Sequence, residues 1–271
     1  MSPAENIARA LEGFENEIDL GRVALEIART EYPELDQGPY LRRLDELARD
    51  VRPPRPDPLT MIEALNTCLF ARQGFHGNTE DYYDPRNSFL NDVLDRRTGI
   101  PITLSAVYME VARRLDFPIC GVGMPGHFLV KYPGEPELFV DPFHGGRILM
   151  ESDCEQRLRE LYGPEAHLEP AFLEAVTKKQ MVTRMLHNLK GIYFRNRQFR
   201  KAVAIEDILL AIYPRSAEDY RQRGALHLHL ENSRLAVADF ERYLELAPGA
   251  ADAQEVRQSL SELKRLLARL N

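Results

Sequence analysis

A chain of 271 residues buries roughly three quarters of the surface its unfolded form exposes, enough for one large domain or two modest ones. Its 35 lysines and arginines against 42 acidic residues, a formal charge of -7, give no global attraction to phosphate backbones or anionic membranes. Three widely spaced cysteines, Cys68, Cys120 and Cys154, form no CxxC pair, which argues against a disulfide framework or a cysteine-rich zinc site and points to buried free thiols.

Residues 1–58 read as an N-terminal helical region. The opening MSPAENIARALEGFENEIDL has neither the basic leader nor the apolar core of a secretion signal, and no apolar run approaches the roughly 20 residues of a membrane helix. A cytoplasmic chain without membrane contacts is expected. In AENIARALEG, LGRVALEIARTEYPEL and YLRRLDELARDV, apolar residues such as Val23 and Ile27, then Leu41, Leu44 and Leu47, recur at three and four. That spacing gives helices with one face to bury. RPPRPDP, 52–58, ends the run, because four prolines in seven residues remove amide donors and fix φ.

Residues 59–175 read as a second domain. LTMIEALNTCLFARQGF, 59–75, resumes a helix with Leu65, Leu69 and Phe70 on its apolar side. HGNTEDYYDPRNSFLNDVLDRRTG follows and is the least generic stretch. Gly77, Asn78, Asp81, Asp84 and Asn87 favour turns, whereas Tyr82, Tyr83 and Phe89 need a surface to pack on, so an ordered loop is expected. A short helix from Ser88 to Arg97, capped by Ser88 or Asn87, should come next. Thr103 to Leu115 fits a helix with Leu104, Val107, Val111 and Leu115 as its stripe. ICGVGM, HFLVKY and ELFVDPF are candidate strands separated by PG and PGEP turns, with a further short strand or turn at Arg147 to Met150. Strands in this order after a helix imply an α+β fold, an antiparallel sheet with helices packed on one side.

Residues 176–271 are helical throughout, and an internal repeat explains the texture. The windows 183–216 and 217–250 are both 34 residues long, and they align Leu186 with Tyr220, Ala202 with Ala236, Leu209 with Tyr243 and Pro214 with Pro248. This resembles the tetratricopeptide repeat. Gly224 and Phe240 take its usual small and aromatic positions, while the first window has Lys190 where the small residue belongs. A closing helix, 253–270, would cover the end of the stack.

His127 and Asp141 stand on neighbouring candidate strands, 14 residues apart. A carboxylate on one ring nitrogen sets the tautomer and leaves the other to accept a proton, so the pair has the form of a base and its orienter. The same two residues also suit a histidine packed in a turn and an aspartate capping PFHGG. A nucleophile should sit at a helix start, where unpaired amides favour a thiolate or oxyanion, yet that start reads Pro101-Ile102-Thr103. The possible nucleophiles are Thr103, Ser105 and Cys120. Thr103 is equally a helix cap and Ser105 a hydroxyl bonded within its own helix.

GFHGNTEDYYDPRNSFLNDVLDRRTGIPITLSAVY, GVGMPGHFLV and FVDPFHGG resemble the bacterial transglutaminase-like domain of the invasion-regulator SirB family, whose members join it to C-terminal tetratricopeptide repeats. The resemblance implies a papain/transglutaminase-like core over about 60–150, and with the repeats it covers most of the chain. In active members of the wider superfamily a glycine, a variable residue and then the catalytic cysteine begin the central helix. Carried over, glycine falls on Gly99 and the cysteine position on Pro101, while His127 and Asp141 match the remaining pair. The expected enzyme has lost its thiol.

Two functions follow. One is a non-catalytic, regulatory adaptor for a protein or peptide, with a degenerate groove lined by Asn78, Asp81, Tyr82, Asp84, Arg86 and Asn87 and a second contact surface on the repeats. The other is a hydrolase or acyl transferase in which His127 and Asp141 activate water or one of the three non-standard nucleophiles. A metal held by His76, His127 and His144, with Asp84 or Asp141, has spacings of 51 and 17 that match no ligand pattern, so no metal or other cofactor is expected. LDRRTG and FRNRQFRK are the densest basic stretches and read as solvated faces or contacts for an acidic peptide, and nucleic acid is not an expected partner.

Overall fold

The computed structural model describes residues 2–55 and 57–270, so Pro56 of the stiff connector lies outside the described residues. The chain divides into two units, one spanning Gly13–Met185 and the other joining residues 2–12 to 186–270. Helix α1 (Pro3–Ala10) opens on a reciprocal cap, Ser2 Oγ accepting the Glu5 amide while Glu5 accepts the Ser2 amide. α2 (Leu20–Ala28), α3 (Gln37–Asp50) and α4 (Pro58–Asn66) are capped by Asp19, Asp36 and Asp57. The single helix expected over 59–75 is instead α4 followed by a π-helical stretch, Thr67–Arg72.

β1 (His76–Gly77) leads into the Asx-rich loop and a 3-10 turn, Pro85–Ser88. α5 (Leu90–Arg96) follows with Phe89 at its N-cap and no side-chain cap. The expected cap by Asn87 or Ser88 does not form, because Asn87 Nδ2 donates to the Asp81 and Tyr82 carbonyls and its Oδ1 accepts from Asn78 and Arg96. β2 (Thr98–Gly99) pairs with β1 in a short parallel ladder that no local pattern announced.

α6 (Pro101–Arg113) begins two residues before the expected start. Proline suits a first helical position because its φ is preset and the amide it lacks would have no partner. Every residue from Pro101 to Ala112 is buried. A helix with no exposed face belongs inside a core, and α2, α3 and α5 pack around it. Glu110, 1 % exposed, is neutralised by Arg113 and Arg114 at 3.0 and 2.6 Å.

The strands are β3 (Cys120–Val122), β4 (Leu129–Tyr132), β5 (Leu138–Asp141) and β6 (Arg147–Leu149), and after α7 (Glu151–Tyr162) comes β7 (Ala175–Val176). They form one antiparallel sheet in the order β6-β5-β4-β3-β7. α6 packs on β4, while Leu129, Phe139 and Leu149 meet Cys154 and Leu158 of α7. Helices therefore cover both faces, where the sequence suggested one. Strand residues buried on either side read as continuous apolar runs, which hid the second layer.

α8 (Lys178–Arg195) contributes residues to both units. In the helical unit it is followed by α9 (Phe199–Ile212), α10 (Ala217–His229), α11 (Ser233–Leu246) and α12 (Ala253–Leu270). α12 covers α11 through Ala236, Phe240 and Leu260, and α1 packs against α9. No helix among the described residues is long and apolar enough to cross a membrane.

Gly77 is held to its lack of a side chain, since a Cβ there would lie 2.6 Å from the Phe143 ring and 2.7 Å from its carbonyl oxygen. A backbone atom cannot swing aside. Gly77→Ala is expected to destabilise the fold by about 1–3 kcal/mol, read as a fall in Tm of roughly 2–12 °C; an unchanged Tm would contradict this packing.

Candidate functional site

The site is assembled by two turns. Gly126, at φ 70°, lets the chain reverse before β4, and the His127 amide closes that turn on the Met124 carbonyl at 3.1 Å. At the end of β5, Asp141 caps a 3-10 turn, Pro142–His144, its Oδ1 accepting the amides of Phe143 (3.0 Å) and His144 (3.2 Å). The β4–β5 register, Val130 opposite Val140, carries His127 toward Asp141. His127 Nε2 then lies 2.8 Å from Asp141 Oδ2, with side chains 2 % and 3 % exposed.

An ionised carboxylate only accepts, so Nε2 carries the proton and Nδ1 is the basic nitrogen. Burial lowers the proton affinity of His127 and outweighs the raising effect of Asp141, leaving the ring below the ordinary histidine range. Burial acts on Asp141 in the opposite sense, but its bonds to His127 and His144 prevail and hold the carboxyl below the usual range. The result is a neutral imidazole oriented by an anion.

His144 is a member of this cluster that the His-Asp pairing alone did not reveal, its Nδ1 donating to the same Oδ2 at 2.7 Å. Arg184 is another, with Nη2 donating to the carbonyls of Met124 (3.0 Å) and His127 (2.8 Å). Nothing local in the sequence marks a residue 57 positions away as the brace of that turn. Donor atoms of His127, Asp141 and His144 lie within 4.8 Å of one another, a set that suits a divalent ion such as zinc. As placed, each ring nitrogen gives its proton to Oδ2, and hydrogen bonding alone accounts for the arrangement. His76 is not part of it, bonding instead to the Gly74 carbonyl and the Thr98 hydroxyl.

The candidate nucleophiles lie in the core or along the sheet from His127. Pro101 is buried at the first position of α6. Thr103, 0 % exposed, accepts the Ile100 amide and donates to the Asn87 and Ile100 carbonyls. Ser105 is fully buried, and its hydroxyl, expected to bond within its own helix, has no partner among the described residues. Cys120 pairs with Lys131 across β3 and β4, four residues beyond His127 and so roughly 13 Å along the strand. Burial also pushes its thiol up, although Cys120 is only partly buried.

Of the six expected groove residues, Tyr82 alone reaches the pair, by edge-to-face packing on Phe143, which in turn stands edge-on to His127. Asn78, Asp81 and Asn87 bond to one another within the loop. Asp84 pairs with Arg86 and Arg96 at 2.8 and 3.4 Å. These five brace the loop that carries Tyr82.

The folded chain protonates His127 at lower pH than the unfolded chain does. Its contribution to stability is complete above about pH 6.5, the unperturbed value, and is lost as pH falls from there toward the folded value. Denaturation of the wild type and His127→Gln between pH 5 and 8 should show the wild type losing more stability on acidification; parallel curves would refute a neutral buried imidazole.

Residues 39–187 match the family described as the transglutaminase-like superfamily, and residues 189–261 match a tetratricopeptide repeat family. A UPF0162 protein of Xylella fastidiosa is 38 % identical over 254 residues, covering 91 % of this chain and 90 % of the relative. Protein SirB1 of Salmonella typhimurium is 25 % identical, covering 89 % and 90 %. Human F-box only protein 21 is 30 % identical over 63 % of this chain and 28 % of its own length. With more than half its length matched by that family, and with a helix, sheet and His-Asp pair in sequence, the chain belongs to the transglutaminase-like superfamily.

Proposed function

We propose that this protein is a cytoplasmic regulatory adaptor of the SirB kind, a pseudoenzyme that binds a protein or peptide partner through a transglutaminase-like scaffold and a tetratricopeptide region. The observation that carries this reading is Pro101, buried at the helix start where the superfamily resemblance expects the thiol. Proline has no group that attacks a carbonyl, and the nearby hydroxyls are sealed in the core. The retained pair has a role without turnover, since each buried group satisfies the other. The relationship to SirB rests on the 25 % identity over most of both chains. Tyr82 and Tyr83, 37 % and 46 % exposed, supply the aromatic contact area that protein interfaces favour.

A second reading, hydrolysis by water activated at His127 Nδ1, is favoured by the 2.8 Å bond to Asp141 and the neutral ring. Affinity capture from native cytosol with the full chain and with His127→Gln, followed by mass spectrometry of bound and released species, separates the two. The adaptor reading expects one partner retained equally by both proteins and recovered intact. A cleaved or modified partner that appears only with His127 present would establish the hydrolase instead.

A further inference from the structure

The two tetratricopeptide repeats solve one packing problem differently. In the second, Gly224 on α10 meets Phe240 on α11 so closely that a Cβ at 224 would lie 2.7 Å from the ring. A shift of one 34-residue period places Lys190 and Glu206 at the same two positions. Lys190 Nζ lies 2.9 Å from Glu206 Oε1, with the carboxylate 0 % exposed. A buried ion pair is seldom better for stability than well-packed apolar groups of similar volume, and the second repeat carries the apolar solution. The charged pair in the first repeat therefore needs a reason other than folding.

What the exchange leaves is a cavity of about 360 Å³ bounded by Lys190, Gly191, Phe194, Glu206, Ala225 and Leu226. Neither carboxylate oxygen of Glu206 has a hydrogen-bond partner among the described residues, because Lys190 approaches off the bonding direction and donates instead to Gln222 Oε1 at 2.6 Å. Burial pushes the Glu206 carboxyl up to about 7. Gly191 sits in the interior of α8, where glycine weakens a helix by about 1 kcal/mol, and nothing lies within 4 Å of the place its Cβ would take. Phe194 stands 52 % exposed at the mouth.

The charges around the cavity are unequal. Lys190 faces two carboxylates, Glu206 and, at 3.9 Å, Asp219. Arg221 on the rim is already matched by Glu218 at 2.5 Å and Asp252 at 3.4 Å. Lys190 is thus shared between two carboxylates. A guanidinium fits better than an ammonium, because its planar fork offers parallel N–H donors to two buried carboxylate oxygens that lack hydrogen bonds and its face stacks on an aromatic ring.

We propose that this cavity is an arginine-recognition subsite, in which an arginine side chain of the partner polypeptide enters beside Phe194 and donates to both oxygens of Glu206. The proposal rests on the protein-binding reading above and adds the chemistry of what is bound. Glu206 and Phe194 supply recognition; the aliphatic part of the arginine lies against Ala225 and Leu226.

The test is a protein-observed NMR titration of the full chain with N-acetyl-L-arginine amide, its citrulline counterpart and N-acetyl-L-glutamate amide. Saturable shifts confined to α8, α9 and α10 are expected with the arginine probe, with an affinity on the order of 1 mM, and a response at least roughly tenfold weaker with neutral citrulline. Lys190→Gly combined with Glu206→Phe copies the second repeat and should keep or raise Tm while abolishing the response. Gly191→Leu fills the open space and should abolish it too, which keeps the test decisive if the double variant is unstable. Equal response to citrulline, preference for the glutamate probe, or a response that survives Gly191→Leu would overturn the proposal. These readouts do not involve His127, so a His127-dependent product would sink the adaptor reading and leave the arginine result standing, and the converse also holds.

Discussion

A carboxylate kept 2 % exposed must find hydrogen bonds for both oxygens or the fold forfeits several kcal/mol, and Asp141 finds four. Two amides fix the turn that follows β5, and two imidazoles are drawn to the other oxygen. The turn then dictates its neighbours. Gly145 and Gly146 take φ of 71° and 78°, and the Gly146 carbonyl accepts from Asn66 at the end of α4. Phe143, set by the same turn, lies against Gly77 and Tyr82. Sheet, loop and helix ends are thus referred to one charge.

Much of this was legible because it follows from near neighbours. The apolar stripes of α2 and α3 and the hairpin spacing of β4 and β5 are local, and register alone brings His127 and Asp141 to one end of the sheet. The repeat was legible from its 34-residue period. Features set by distant partners were hidden: β1 and β2 are two-residue strands paired across 22 positions, and Arg184 reaches His127 from beyond the sheet. Cys120 was legible as the opening of its strand, and antiparallel register places it at the end away from His127.

Two departures from expectation differ in kind. Pro101 satisfies every local rule for a helix start, so a proline at the position where the superfamily resemblance expects a thiol costs the fold nothing. Lys190 and Glu206 do the opposite, giving up packing that the neighbouring repeat retains. Local rules broken without a structural gain mark places where function is the better explanation. By that measure the helical region carries the more informative anomaly.

The pairing of α1 with α9 bears on how the chain is made. Ala10 and Phe199 are separated by roughly 190 residues, so Ile7, 0 % exposed in the finished fold, has no α9 to cover it while the intervening unit emerges. At roughly 5–20 residues per second, that interval is about 10–40 s. During it an amphipathic segment waits beside a growing chain with its apolar face uncovered.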